Sequence, residues 1–480
     1  MDSTYRKQLL SGVFYTAVSK YSGLLISLVT SAVLARLLSP EDFGAIAIAT
    51  VFITFFAILS DLGVGAAIIQ NKALVVKDYQ NLFSFTFYLS LLLSFFFYFL
   101  SPFVGSYYKN DSLVIVVKLL SISVFFTTIN TVPSSLLLKD CKFRFVAIRT
   151  LIIQMILAPI SIIAAFRGAG IYALVISPFL SSIILFIVNY KARYIPLKLA
   201  FELNSIKKVG SFSLFQFFFN SINFFTRNLD KLLVGRLIGM EALGYFDKSY
   251  RLMMLPLSNL THIITPSFHP IFSRFQNDLD LQRARYFNIL KYLGYVAFPL
   301  GVLLFYTSKE LVMFVFGDQW LLAVPSFQIL CVSIPTQLIG STQGGIYQAT
   351  NKTNVMFYTG LSNAIVYILL LVSGILIWHT IEAVAAMFVL ACYVNCWTYY
   401  VLCKSVLHCA FRDFWILFIK PFILTAILVL IFEVVFVHYW IIDNMLIALL
   451  LKTFAVLLIS YVFYYCFCGF SIKGMLKILK

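Results

Sequence analysis

Charge is what this sequence has least of. Of 480 residues only 11% are Asp, Glu, Lys or Arg, against roughly 25% in an ordinary soluble domain, and the mean hydropathy is +0.95. A soluble globule cannot hide that much apolar surface, so a large domain outside a membrane is excluded. Cysteine is also sparse: the eight thiols stand at 141, 331, 392, 396, 403, 409, 466 and 468, with no C-x-x-C pair, which argues against a zinc site and a secreted disulfide frame. The histidines at 262, 269, 379, 408 and 438 form no ligand cluster along the chain. No P-loop, nucleophile elbow or Asp-rich metal motif is present. No catalytic residue, metal or cofactor is therefore expected, and the chain does not read as an enzyme.

What fills the chain is long apolar runs. A crossing needs about 20 such residues, and the runs predict an all-α polytopic membrane protein with about 14 spans, at 13–37, 45–69, 82–104, 113–132, 150–166, 171–188, 211–238, 242–275, 289–306, 323–349, 355–377, 383–401, 418–437 and 445–468. The segment Met1–Gly12 carries Arg6 and Lys7 before an apolar run too long for a signal-peptide core, and it reads as leading into a retained first span.

Acid is scarcer than base, 19 Asp and Glu against 36 Lys and Arg, a net charge of +17. The cations do not gather into a basic domain of the kind that binds nucleic acid. They crowd the connections on the side of the N-terminus, as in Lys139, Lys142, Arg144 and Arg149, or Lys191, Arg193, Lys198, Lys207 and Lys208. The other side holds only Arg36, Lys109, Arg167, Arg236 and Lys309. The positive-inside bias puts both termini and the long basic connection in the cytoplasm.

That connection separates two similar halves. Ala35-Arg36-Leu37-Leu38-Ser39-Pro40-Glu41-Asp42-Phe43-Gly44 returns 200 positions later as Gly235-Arg236-Leu237-Ile238-Gly239-Met240-Glu241-Ala242-Leu243-Gly244, with Arg36/Arg236, Leu37/Leu237, Glu41/Glu241 and Gly44/Gly244 in register. The expected organisation is an N-terminal lobe over 1–190 (spans 1–6), a cytoplasmic basic linker over 191–210, a second lobe over 211–401 (spans 7–12), and two further spans with a cytoplasmic tail over 402–480. Six spans per lobe orient the two pseudo-symmetric copies alike, as parallel repeats. Locally, Ser39, Pro40 and Asp42 spell a helix start. Each Arg stands five residues before its Glu, which suits a pair across the turn; contact with a substrate is the other reading.

Polar residues inside the spans carry the functional signal. In span 1, Thr16, Lys20, Gly23, Ser27 and Thr30 fall on one helical face. Span 7 repeats the pattern in register with Gln216, Asn220, Asn223, Arg227 and Asp230. Span 8 adds Lys248, Arg251, Ser258, His262, Thr265 and His269, interrupted by Pro256, Pro266 and Pro270, which permit bending. A lysine or arginine facing lipid at mid-membrane costs about 2.5–3.5 kcal/mol, so these cations need a wet cavity or a partner. Lys118, Lys231 and Lys452 suit snorkelling or pairing, and Asp247 is spaced to pair with Arg251. Lys20, Arg227, Lys248 and Arg251 are the candidate lining of a cationic cavity, which favours an anionic ligand such as a diphosphate. Asp61 and Asp230 are candidate carboxylates for coupling to H+ or Na+; helix capping by Asp61 and compensation of Arg227 or Lys231 by Asp230 are the structural alternatives.

The run from Leu34 to Gly44, followed by Leu59-Ser60-Asp61-Leu62-Gly63-Val64-Gly65-Ala66-Ala67-Ile68-Ile69-Gln70, resembles the N-terminal signature of Wzx-type polysaccharide and O-antigen flippases in the multidrug/oligosaccharidyl-lipid/polysaccharide exporter superfamily. Asn228-Leu229-Asp230-Lys231 with Gly244-Tyr245 is similar to the start of their second lobe. The resemblance implies a two-lobed bundle in the bacterial cytoplasmic (inner) membrane that moves undecaprenyl-diphosphate-linked oligosaccharide to the outer leaflet by alternating access. The implied partners are that lipid-linked oligosaccharide, membrane lipids and polysaccharide assembly proteins. A multidrug or cation antiporter of the same superfamily would favour an acidic cavity. A membrane glycan polymerase or ligase would need a substantial outer loop.

Overall fold

The computed structural model describes residues 3–61, 64–198, 202, 221, 224–273, 278–439 and 444–468. Among these there is no strand. The helices are α1 (Ser3–Leu37), α2 (Pro40–Asp61), α3 (Val64–Gln70), α4 (Val76–Tyr108), α5 (Asp111–Ile129), α6 (Thr131–Lys139), α7 (Phe143–Phe166), α8 (Tyr172–Ala192), α9 (224–237), α10 (Met240–Ser273), α11 (Leu279–Tyr306), α12 (Ser308–Phe316), α13 (Val324–Cys331), α14 (Ile334–Gly340), α15 (Gln343–Ala349), α16 (Thr353–Trp378), α17 (Ile381–Val394), α18 (Trp397–Leu402), α19 (Phe411–Ile431) and α20 (Met445–Cys468). Asn110 and Asp278 start α5 and α11 by accepting the Leu113 and Leu281 N–H groups, the N-cap bond that an exposed helix end needs.

Among the described residues 11 helices are long and apolar enough to cross a membrane, or up to 12 when a bent pair counts as one span. The expected fourteen are not all accounted for. Much of the seventh, 211–238, lies outside the described residues. The eighth is the 34-residue α10, which is long enough at about 1.5 Å per residue but carries Glu241, Asp247, Lys248 and Arg251. The tenth is broken: Asp318–Cys331 and Ile334–Ala349 meet at 52°. α10 runs as one helix through Pro256, Pro266 and Pro270.

The chain divides into two compact units, Met1–Gly244 and Tyr245–Lys480. Much of the 191–210 linker lies outside the described residues. In the first unit α9 packs on α2, where Phe55 meets Phe224 and Phe225 with ring centroids 5.8 and 5.0 Å apart. Elsewhere in this unit small polar side chains join the helices, as expected where lipid gives no hydrophobic drive between them. The Ser19 hydroxyl of α1 donates to the Ala147 carbonyl of α7 (3.2 Å), and Ser60 of α2 meets Thr128 of α5 at 2.6 Å. Outward-facing Leu92, Phe95, Phe99 and Phe103 on α4 are exposed, a lipid-facing arrangement.

The second unit is held by aromatics. Tyr286, Phe298, Tyr399, Phe414 and Phe418 form one buried cluster, and Tyr295, Phe432, Phe463 and Tyr464 another that seats α20 on α11. Tyr295 and Tyr464 stack at 4.2 Å. At the break in the tenth span, the Tyr393 hydroxyl donates to the Val332 carbonyl at 3.0 Å, satisfying a group that the interrupted helix ladder leaves over.

Candidate functional site

The repeated turn is built around its glycines. A Cβ on Gly44 would overlap the Met240 carbonyl, and one on Gly244 would overlap the Pro40 carbonyl. The first turns of α2 and α10 thus cross in backbone contact, reciprocally, at the same 200-residue offset that the sequence shows. Around the crossing, Asn110 donates to Glu41 Oε1 at 3.0 Å, and the Arg236 guanidinium lies 4.8 Å from the Tyr107 ring centroid.

On α1, Lys20 is exposed together with Thr16 and Ser27, while Gly23 is buried, its missing side chain leaving room for Gln154 of α7. The polar stripe is therefore split between an open surface and a helix contact. On α9, Arg227 is exposed and Asp230 is 1% exposed, its Oδ1 accepting the Lys231 N–H at 2.8 Å. Gln216, Asn220 and Asn223 lie outside the described residues. Asp61 ends α2 and its Oδ1 accepts the Gly65 N–H at 3.0 Å, which begins α3 as a cap does.

In the second unit Arg251 donates through Nε to Asp247 Oδ2 at 2.6 Å and keeps its side chain 54% exposed. Lys248, three residues earlier, is buried. Its ammonium stands 4.9 Å from the Phe316 ring centroid and 5.7 Å from that of Trp320, an aromatic seat that compensates a lysine removed from water. The side chains of His262 and His269 lie outside the described residues.

Sequence spacing gave no sign of one further polar corner, because its members are far apart along the chain. Lys452 of α20 pairs with Glu310 of α12 and donates to the Tyr306 carbonyl at 2.9 Å; the Tyr306 hydroxyl donates to Glu433 Oε1 at 2.8 Å. An apolar run followed by one lone lysine was the available signal, and it did not name the partner.

Long apolar helices, joined inside by small hydroxyls and carrying Lys20, Arg227 and Arg251 on exposed faces, define a polytopic helical membrane protein, of the fold seen in the structure titled lipid II flippase MurJ, inward closed conformation (TM-score 0.73, 17% identity, covering 94% of this chain and 99% of that one). The profile of the polysaccharide biosynthesis protein family matches residues 33–325, and the chain belongs to that family. Among its relatives, the teichuronic acid biosynthesis protein TuaB of Bacillus subtilis (strain 168) is 28% identical over 355 residues, 73% of each chain. The lipopolysaccharide biosynthesis protein WzxC of Escherichia coli (strain K12) is 24% identical over 430 residues, 88% of this chain and 86% of its own.

Proposed function

We propose that this protein is a flippase of the bacterial cytoplasmic membrane, which moves an undecaprenyl-diphosphate-linked oligosaccharide from the cytoplasmic to the outer leaflet for cell-surface polysaccharide synthesis. One observation carries the reading: a member of a polysaccharide biosynthesis family shares its fold, over nearly its whole length, with a lipid II flippase. The chemistry agrees with it. A lipid-linked sugar presents an anionic diphosphate, and Lys20, Arg227 and Arg251 are exposed cations. Arginine engages phosphate oxygens with a planar fork and lysine with a point charge.

The chain performs no covalent chemistry in this reading and holds no cofactor. It works by alternating access driven by an H+ or Na+ gradient, and the prenyl tail stays in the bilayer while the head crosses. Both termini are cytoplasmic.

The test is reconstitution into vesicles with a defined lipid-linked oligosaccharide and an assay for its arrival in the outer leaflet. The wild type should deliver it, and no delivery would refute the flippase. The double variant Arg227→Ala/Arg251→Ala should lose transport at least about tenfold, the loss of two charge-assisted contacts, while staying folded in the membrane. Undiminished transport would refute the role of these cations.

A further inference from the structure

The ammonium of Lys452 is a tethered cation in a corner made of oxygen. It lies within two turns of the start of α20, donates to the Tyr306 carbonyl and pairs with Glu310 Oε1, and the Lys452 and Glu310 side chains are each only 16% exposed. Tyr306 is the last residue of α11, so its carbonyl belongs to the negative end of a 28-residue helix. Glu310 stands in the first turn of α12. A helix-terminal carbonyl and a carboxylate are the hard oxygen donors that small cations take. The second carboxylate oxygen, Oε2, is buried with no hydrogen-bond partner.

Apolar packing would hold α20 in place with less desolvation than this largely buried ion pair does. The other titratable groups of this corner are Tyr306 and Glu433, joined by their own hydrogen bond. Asp318 lies on the 3-10 turn packed against α12, Lys309 precedes Glu310, and Lys248 reaches the far end of α12 at Phe316. Lys452 is the cation that occupies the oxygens.

We propose that this corner is the transporter's coupling site, where a monovalent cation replaces the Lys452 ammonium in one conformation and Lys452 returns in the other. The cation is a proton on Glu310 or Na+ held by Glu310 and the Tyr306 carbonyl. The proposal rests on the reading of the chain as a gradient-driven flippase. An ion drives motion only by binding two states unequally, and the inequality here is mechanical: α20 is tied to α11 and α12 through Lys452 when the ion is absent, and untied when it is bound.

Vesicles reconstituted with the full chain and a lipid-linked oligosaccharide, under imposed pH gradients and separately under Na+ gradients, test it. Glu310→Gln should flip without responding to either gradient. Lys452→Met removes the tie as well as the competitor, so an ion bound at Glu310 no longer distinguishes the two states and the gradient response should fall about tenfold or more, in the pH arm if the ion is a proton and in the Na+ arm if it is sodium. Glu310→Gln/Lys452→Met, with a neutral corner, should fold as the wild type does and be blind to both gradients, which separates coupling from a structural bridge. A gradient response in the double variant, a wild-type response in Glu310→Gln, or an unchanged gradient response in Lys452→Met overturns the coupling site. Absence of flipping by the wild type would instead overturn the flippase reading.

Discussion

The turn at 35–44 starts its second helix with side chains, whereas the turn at 235–244 starts it with bare backbone. In the first, Ser39 Oγ accepts the Asp42 N–H at 3.2 Å, and Asp42 Oδ2 accepts the Ser39 N–H at 3.1 Å and its hydroxyl proton at 2.8 Å, a closed capping box. In the second, the equivalent of Ser39 is Gly239, at φ 134°, and Ala242 stands where Asp42 does. Both nonetheless form the same first-turn bond, Phe43 N–H to the Ser39 carbonyl and Leu243 N–H to the Gly239 carbonyl. The positions that agree between the copies include the glycines of the crossing, and the positions that differ include the caps. Helix starting is interchangeable chemistry; close backbone approach is not.

The strongest way to break this comparison is therefore at what the copies share. Gly44→Val or Gly244→Val drives a side chain into a backbone carbonyl, which no rotamer change relieves. Each should cost about 3 kcal/mol or more, at the upper end for overpacking, and sharply reduce the folded protein recovered from membranes by size-exclusion chromatography. Wild-type recovery of both would show that the two helix starts do not need to touch.

A smaller effect separates the copies at their caps. Gly239→Ala places a Cβ on a backbone with φ 134°, a conformation that L residues adopt at about 1–3 kcal/mol, although nothing nearby blocks the added atom. Ser39→Gly, the reciprocal exchange, should cost only a few tenths of a kcal/mol, because glycine is an acceptable N-cap. Thermal unfolding in detergent should thus fall clearly for Gly239→Ala and barely for Ser39→Gly. Equal losses would mean that Gly239 is retained for something other than its φ.

The same contrast explains what was readable from the chain alone. An apolar run of about 20 residues is enough to announce a span, so most crossings were visible, and the break in the tenth was not, because the Val332 carbonyl there is satisfied by Tyr393 from another helix. The offset of the repeat was plain in sequence, but the reason for its glycines is a contact between positions 200 apart. Among the intramembrane cations, spacing put Lys248 and Arg251 on one stripe. The structure separates them by burial, since Phe316 and Trp320 cover only the lysine. Lys452 pairs with a residue 142 positions away, beyond any helical period. Local rules read capping; partners across the fold decide which charges stay open.

The coupling inside the capping box sharpens the comparison most. Ser39→Ala leaves the crossing and the backbone intact and removes only the hydroxyl, so the Asp42 N–H loses its acceptor and Asp42 Oδ2 keeps a single bond from the Ser39 N–H. Both residues are partly open to solvent, so water replaces part of what is lost and the cost should be about 1 kcal/mol. Asp42→Ala should cost a similar amount, and because the two side chains serve one box, the double variant should cost less than the sum by about 0.5 kcal/mol or more. The corresponding pair in the second copy, Gly239 and Ala242, has no side chains to couple, so Ala242→Ser should add to Gly239→Ala without interaction. Strict additivity at Ser39 and Asp42 would show that the box contributes nothing as a unit, and that backbone alone starts both helices.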